Sequence, residues 1–216
     1  MNQKMAIKIY EGTLLVSRLA MLNLSWFLMT VLGAGIFGFL PATLALVAVF
    51  RRYYQDKGDF KWLSFAWRTY WVYLRKLFGV SFVFSLIGLS LFLSWLTLGQ
   101  QHIILNSLIF GVGIYCFFLV IPYFAVNETH FALPLLAQIK NSLLLPFFWG
   151  FSSLKVCASF LAMGVLCYLF PGLIIFFSLS VPLYLSSGVI LTRWQKQLEK
   201  IGDKGGNQNV EMPHSR

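Results

Sequence analysis

Five apolar tracts constrain this chain more than any other feature: residues 19–50, 77–98, 103–126, 143–151 with 156–170, and 173–191. A hydrocarbon core of about 30 Å takes roughly 20 residues of apolar helix to cross. Most of the tracts reach or exceed that length. They are continuous rather than alternating, so the membrane solution they fit is a helical bundle and not a β-barrel. Composition agrees. Hydrophobic residues make up 58% of the chain and charged residues 11%, against roughly 25% charged in a soluble domain. The expected fold is all-α: a polytopic membrane helical bundle of about six crossings with cytoplasmic interfacial helices. Residues 1–204 are expected to form one transmembrane domain and residues 205–216 a disordered tail. No small-residue cleavage motif closes a short apolar region near Met1, so the first tract is expected to remain as an anchor.

Gly33, Gly35 and Gly38 cluster at the end of the first membrane helix, and Pro41 follows. Glycine loosens a helix, and proline is favoured near a helix start. Gly35, Gly38 and Pro41 therefore mark a helix break. The helix restarted at Pro41 meets Arg51 after a short apolar run. It is a short second crossing, or a re-entrant half-hairpin. Residues 55–59 (QDKGD) read as a turn. Beyond it Phe60, Leu63, Trp67, Trp71, Leu74 and Phe78 recur at spacings of three and four, forming one helical stripe. Lys61, Arg68 and Arg75 make a second stripe beside it. Aromatic and basic residues together favour the headgroup zone. Arg51, Arg52, Lys61, Trp67, Arg68, Trp71, Arg75 and Lys76 are thus the candidate surface for anionic headgroups or a protein partner. No nucleic-acid partner is expected, because the placement of this helix between membrane tracts already accounts for its composition.

Charge sets the expected sidedness, because Lys and Arg are retained on the cytoplasmic side. With the N-terminus inside, segments 1–18, 51–76, 127–155 and 193–216 are cytoplasmic. They hold three, seven, two and five of the 17 Lys and Arg residues, and the outside turns hold none. The protein is expected in the cell membrane, multi-pass, with both termini cytoplasmic. A single crossing over residues 19–50 would put the seven basic residues of 51–76 outside, so the chain must return at the glycine break.

Little in the sequence carries chemistry. All seven acidic residues fall outside the apolar tracts, which counts against a proton-coupled carrier, whose ionisable group sits near midplane. His102, His130 and His214 are scattered without metal-ligand spacing. Asn127 reads as the N-cap of a helix, and Glu128 and His130, two apart, point to different sides of it. The formal glycosylation match at Asn127 falls on the cytoplasmic side. Neither GxxxxGK[ST] nor GxSxG occurs. Cys116, Cys157 and Cys167 read as membrane-buried thiols. Arg18 and Lys155 are expected to snorkel. Asn23 is placed to hydrogen-bond across helices, worth about 1 kcal/mol. No catalytic, cofactor or metal residue is assigned, and the protein is not expected to be an enzyme. A small permease or channel for a neutral solute is the alternative, on the glycine and proline breaks and on Ser81, Ser85 and Ser178.

The order of features resembles one family. Residues 38–52 (GFLPATLALVAVFRR) give a short helix with a PAT start and a basic end. Residues 58–76 (GDFKWLSFAWRTYWVYLRK) give an acidic-aromatic step into an aromatic basic helix. Residues 124–144 (FAVNETHFALPLLAQIKNSLL) lead an amphipathic helix ending in KNSLL. Together they resemble the YesL-like bacterial membrane proteins, domain-of-unknown-function family 624, over roughly residues 5–200. The resemblance transfers no catalytic residue. It implies a non-catalytic accessory or regulatory component of an ATP-binding-cassette (ABC) sugar importer in Gram-positive bacteria, with transporter subunits as partners.

The sidedness is directly testable. A cysteine introduced at Gln55 is expected to stay unlabelled by a membrane-impermeant thiol reagent in intact cells and to react once the cells are opened. Labelling in intact cells would place residues 51–76 outside.

Overall fold

A computed structural model describes residues 3–35, 37–56, 61–97, 103–130 and 134–208. Every regular element among them is helical. Three sequence readings fall outside the described residues: the turn after Asp56 together with Phe60, His102, and residues 209–216 with His214.

Helices α1 (Gln3–Leu32) and α2 (Phe39–Asp56) are joined at the glycine break. A Cβ on Gly33 would overlap the Cα of Gly38, and a Cβ on Gly38 would lie 2.6 Å from the Thr30 carbonyl oxygen. Ala34 (φ 54°) and Gly35 (φ 71°) both take the left-handed conformation. The Gly35 N–H returns to the Thr30 carbonyl at 2.8 Å, the long bond of a Schellman-type helix end. Pro41 lies inside the first turn of α2, where its missing N–H costs nothing. Trp26 Nε1 donates to Thr43 Oγ1 at 3.2 Å and locks the two antiparallel helices together.

Set in this way, α2 becomes the centre of the bundle. Leu40, Ala42, Leu44, Ala45 and Leu46 are 0% exposed. Helices α1, α3, α4, α6 and α10 pack around it. A helix covered on every side needs no polar stripe, which is why residues 39–50 read as a continuous apolar run.

Helix α3 (Trp62–Lys76) folds back along α2. The Arg52 guanidinium lies over the Phe65 ring at 5.1 Å. Further along, the buried Tyr70 hydroxyl donates to the Met29 carbonyl at 2.8 Å, and Phe78 stacks on Phe37 at 4.2 Å. The buried face of α3 is Ala66 and Tyr70, continuing to Leu77. Of the stripe read from the sequence, Leu63, Trp71 and Phe78 are exposed, while Trp67 and Leu74 are partly buried against the core. Helix α4 (Phe78–Thr97) leaves α3 at 90°.

Helix α5 (Ile103–Tyr115) passes through a π-helical turn, Cys116–Val120, into α6 (Ile121–His130). Pro122 accounts for the turn: it has no N–H for the Phe118 carbonyl, and its ring crowds that oxygen. Helices α7 (Leu135–Phe148) and α8 (Gly150–Leu169) follow, then the short α9 (Leu173–Phe177) and α10 (Ser180–Gln208). Helix α10 includes residues 205–208, the first part of the expected tail. Asn23, inside α1, binds the break between α9 and α10. Its amide donates to the Ile175 carbonyl at 2.8 Å, and its oxygen accepts from the N–H groups of Leu179 (3.1 Å) and Ser180 (3.0 Å). The expected cross-helix bond is thus a set of backbone bonds that satisfies a helix start. Cys116, Cys157 and Cys167 are free thiols.

Among the described residues, four helices are long and apolar enough to cross a membrane: Ile7–Leu32, Ser107–His130, Gly150–Leu169 and Leu173–Gln197. The bent pair α3 and α4 makes a fifth if it counts as one span. The expected second crossing is absent from this set because the last turns of α2 carry Arg51, Arg52 and Asp56. Large apolar side chains cover the outside of the bundle, among them Val31, Phe92, Leu161 and Ile175. Exposed apolar surface on this scale belongs against lipid.

The glycine contact yields a stability test. Gly38→Ala is expected to destabilise the protein by about 2 kcal/mol or more, because backbone must move to admit the methyl. Gly12→Ala, on an open face of α1, is expected to be neutral or stabilising by up to about 1 kcal/mol. Thermal unfolding in detergent compares the two, and equal melting temperatures would remove the close approach as a determinant.

Candidate functional site

The C-terminal end of α6 is where the charges of this bundle meet. Every residue from Ile121 to Thr129 is buried, and Asn127 and Glu128 are met by side chains of other elements. Asn127 accepts from Trp194 Nε1 of α10 at 3.2 Å and donates to Ser142 Oγ of α7 at 3.4 Å. It lies inside a helix that ends at His130, so it is not the N-cap expected from the sequence. At 1% exposure it is also closed to glycosylation. Thr129 returns its hydroxyl to the Ala125 carbonyl at 2.8 Å.

Glu128 is the acidic residue that the sequence reading misplaced. Helix α6 continues past residue 126 because Trp194, Ser142, Lys76 and Arg51 satisfy its last polar groups. Glu128 therefore belongs to the membrane-length helix Ser107–His130. Its carboxylate is 1% exposed and pairs through Oε1 with Lys76 Nζ, which is 58% exposed. Its Oε2 is buried and has no hydrogen-bond partner among the described residues. Arg51 donates through Nη1 to the Thr129 carbonyl, and its Nε is likewise buried without a partner. Two cations at the end of α6 also complement the negative end of the helix dipole.

These groups line an open cleft of about 710 Å³ between α2, α3, α6 and α7. Arg51, Arg68, Tyr73, Lys76 and Glu128 form its polar wall, and Val72 and Phe65 contribute apolar surface. His130 lines the cleft together with Glu128, although their spacing suggested opposite sides; the last turn of α6 presents both. A side pocket of about 300 Å³ continues past Arg51 to Arg52.

The structure thus divides the sequence-derived surface. Arg51, Arg68 and Lys76 come together in the cleft, and Arg52 reaches its side pocket. Lys61, Trp71 and Arg75 stay outside on α3, and Trp67 is half-buried at 6.3 Å from Tyr70. Gly35 and Gly38 close the α1–α2 turn, with Pro41 just beyond it. Glu128 and Tyr73 were not among the sequence candidates. The available signal for Glu128 was a lone carboxylate directly after an apolar tract.

Membrane-length helices packed around a buried central one, with a charged cleft at the end of a span, define a polytopic helical membrane protein. The chain belongs to the family described as "Protein of unknown function, DUF624", whose family model matches residues 19–95. That range runs from the middle of α1 to the end of α4 and includes Arg51, Arg68 and Lys76. The chain is 31% identical over 195 residues to "Uncharacterized protein YteU" of Bacillus subtilis (strain 168), a match covering 88% of this chain and 85% of that protein. It is 29% identical over 181 residues to "Uncharacterized protein YesV" of the same organism, covering 78% and 83% respectively. No solved structure matches it. The family expected from residues 38–52, 58–76 and 124–144 is the family found.

The ion pair predicts an asymmetry. Lys76→Met strands a buried carboxylate and is expected to cost about 2 kcal/mol, discounted from the 3–5 typical of fully buried pairs because Lys76 is half in solvent. Glu128→Met removes the buried charge and leaves Lys76 to water, at an expected cost under about 1 kcal/mol. Unfolding of both variants in one detergent decides the order; a costlier Glu128→Met would mean the carboxylate is held by more than Lys76.

Proposed function

We propose that this protein is a non-catalytic accessory component of a carbohydrate importer of the ABC type, seated in the cell membrane with both termini in the cytoplasm. The observation that carries the accessory reading is the two-sidedness of α3. Ala66 and Tyr70 clamp the helix to the core, while Lys61 at its start and Trp71 and Arg75 along it stand exposed, outside the cleft. A basic, aromatic surface on a rigid helix fits anionic headgroups, at about 1 kcal/mol per basic residue near the membrane, and an acidic partner surface. The carbohydrate assignment rests on the family resemblance.

The filled centre of the bundle favours this reading over a solute permease. Helix α2 occupies the position a translocation path through one subunit would need, with Leu40 to Val47 buried. Ser178, one of the serines that motivated the permease, lies 3.4 Å from the Asn23 amide. The contacts of α3 with the α1–α2 turn favour the re-entrant form of the second helix. A helix that holds Arg68, Arg75 and Lys76 at the headgroup zone keeps that turn near the same surface.

Affinity purification of the full chain in mild detergent tests the proposal. Subunits of an importer are expected to copurify, and Lys61→Glu with Arg75→Glu is expected to release them without loss of folding. Recovery of the protein alone, with sugar uptake unchanged on deletion, would sink it.

A further inference from the structure

We propose that the cleft between α2, α3 and α6 binds a phosphate ester carrying a free hydroxyl. The phosphate sits on Arg51 and Arg68, and the hydroxyl donates to the unpaired, buried Oε2 of Glu128 at the cleft wall. The inference stands on the cleft alone and holds whether or not the protein serves an importer.

Charge selects an anion. Arg51, Arg68 and Lys76 face one carboxylate. Lys76 is committed to Oε1 of that carboxylate, so two guanidinium groups are in excess. Guanidinium is the side chain best matched to phosphate, with forked donors and a permanent charge. Arg51 is already oriented by its bond to the Thr129 carbonyl, and its buried Nε is a donor awaiting an acceptor.

Glu128 selects what the anion must carry. Its Oε2 is buried without a partner, which is costly unless a donor arrives. An ionised carboxylate only accepts, so the ligand must bring a donor. The P–OH of inorganic phosphate near neutral pH belongs to the group the guanidinium ions hold, whereas an alcohol on the same ligand is separate from it. An ester carrying an alcohol therefore meets the guanidinium side and the carboxylate side together. An open cleft of about 710 Å³ is in the range of small-molecule sites. The same chemistry is offered by a soluble ester such as glycerol phosphate and by a hydroxyl-bearing lipid headgroup such as phosphatidylglycerol.

The test has two arms, both on the full chain. In neutral detergent, calorimetry compares glycerol 1-phosphate with methyl phosphate, an ester that has no alcohol. In nanodiscs of phosphatidylcholine with phosphatidylglycerol or phosphatidic acid, native mass spectrometry counts retained lipid. Glycerol 1-phosphate is expected to bind more tightly than methyl phosphate in the first arm if the source is soluble. Phosphatidylglycerol is expected to be retained over phosphatidic acid in the second if the source is lipid. Arg68→Gln, at an exposed position, is expected to weaken either binding roughly tenfold, the loss of one charge-assisted hydrogen bond, with unchanged unfolding. Glu128→Met is expected to erase the preference for the hydroxyl while leaving phosphate binding in place. Absence of saturable binding in both arms, or binding indifferent to both substitutions, overturns the proposal.

Discussion

Gly33 and Gly38 meet without side chains, and the turn they close sets α2 against α1 tightly enough to be surrounded. The burial of Leu40 to Leu46 depends on that closeness, because α3, α6 and α10 reach α2 only where α1 leaves room for them. A methyl group at Gly38 would press on the Thr30 carbonyl 2.6 Å away, and the strain would pass to the end of α1. The Tyr70 hydroxyl bonds the Met29 carbonyl at the same place. The turn thus fixes two interfaces at once, α1 with α2 and α1 with α3.

The charged cleft is a consequence of this arrangement. Once α2 lies in the core, its last turns must bring Arg51 out between α3 and α6. The carbonyl end of α6 and the Glu128 carboxylate supply the compensating charge. Attraction between such groups is strengthened where water is excluded, but so is the penalty for any group left without a partner. Lys76 lowers that penalty for one oxygen of Glu128 while keeping its own ammonium partly in water. The pair consequently ties α3 to α6 at less desolvation cost than two fully buried ions would carry.

Much of the fold is legible in the sequence because membrane helices are set by length and apolarity, properties of single segments. The tracts at 103–126 and 173–191 reappear inside the spans Ser107–His130 and Leu173–Gln197. Gly33 and Gly38 are legible for a similar reason, since few residues tolerate such a turn. What was hidden depends on partners from distant segments. Helix α6 extends to His130 because Trp194 and Ser142 engage Asn127, and nothing local to residues 127–130 reveals them. The buried stripe of α3 was hidden because Ala66 is small and Tyr70 carries a hydroxyl, so neither stands out in a stripe drawn from large apolar residues. Helix α2 is outside the membrane-length set, and burial in protein and burial in lipid both produce the same apolar run.

That last ambiguity explains the composition of α3. A helix packed on an already buried partner needs a small residue where backbones approach and a hydroxyl where a helix end lacks a donor; Ala66 and Tyr70 supply these. Its other side meets lipid and headgroups, which call for Leu63, Trp71 and Arg75. Positions 66, 70 and 77 advance by four and seven residues, and positions 67, 71 and 75 advance by four, so both sets run along the helix about one residue, or roughly 100°, apart. One fifteen-residue helix therefore holds the core with one stripe and presents the basic aromatic surface with the next. The polar and large residues that make it look interfacial in the sequence and the small ones that make it structural are two readings of the same segment.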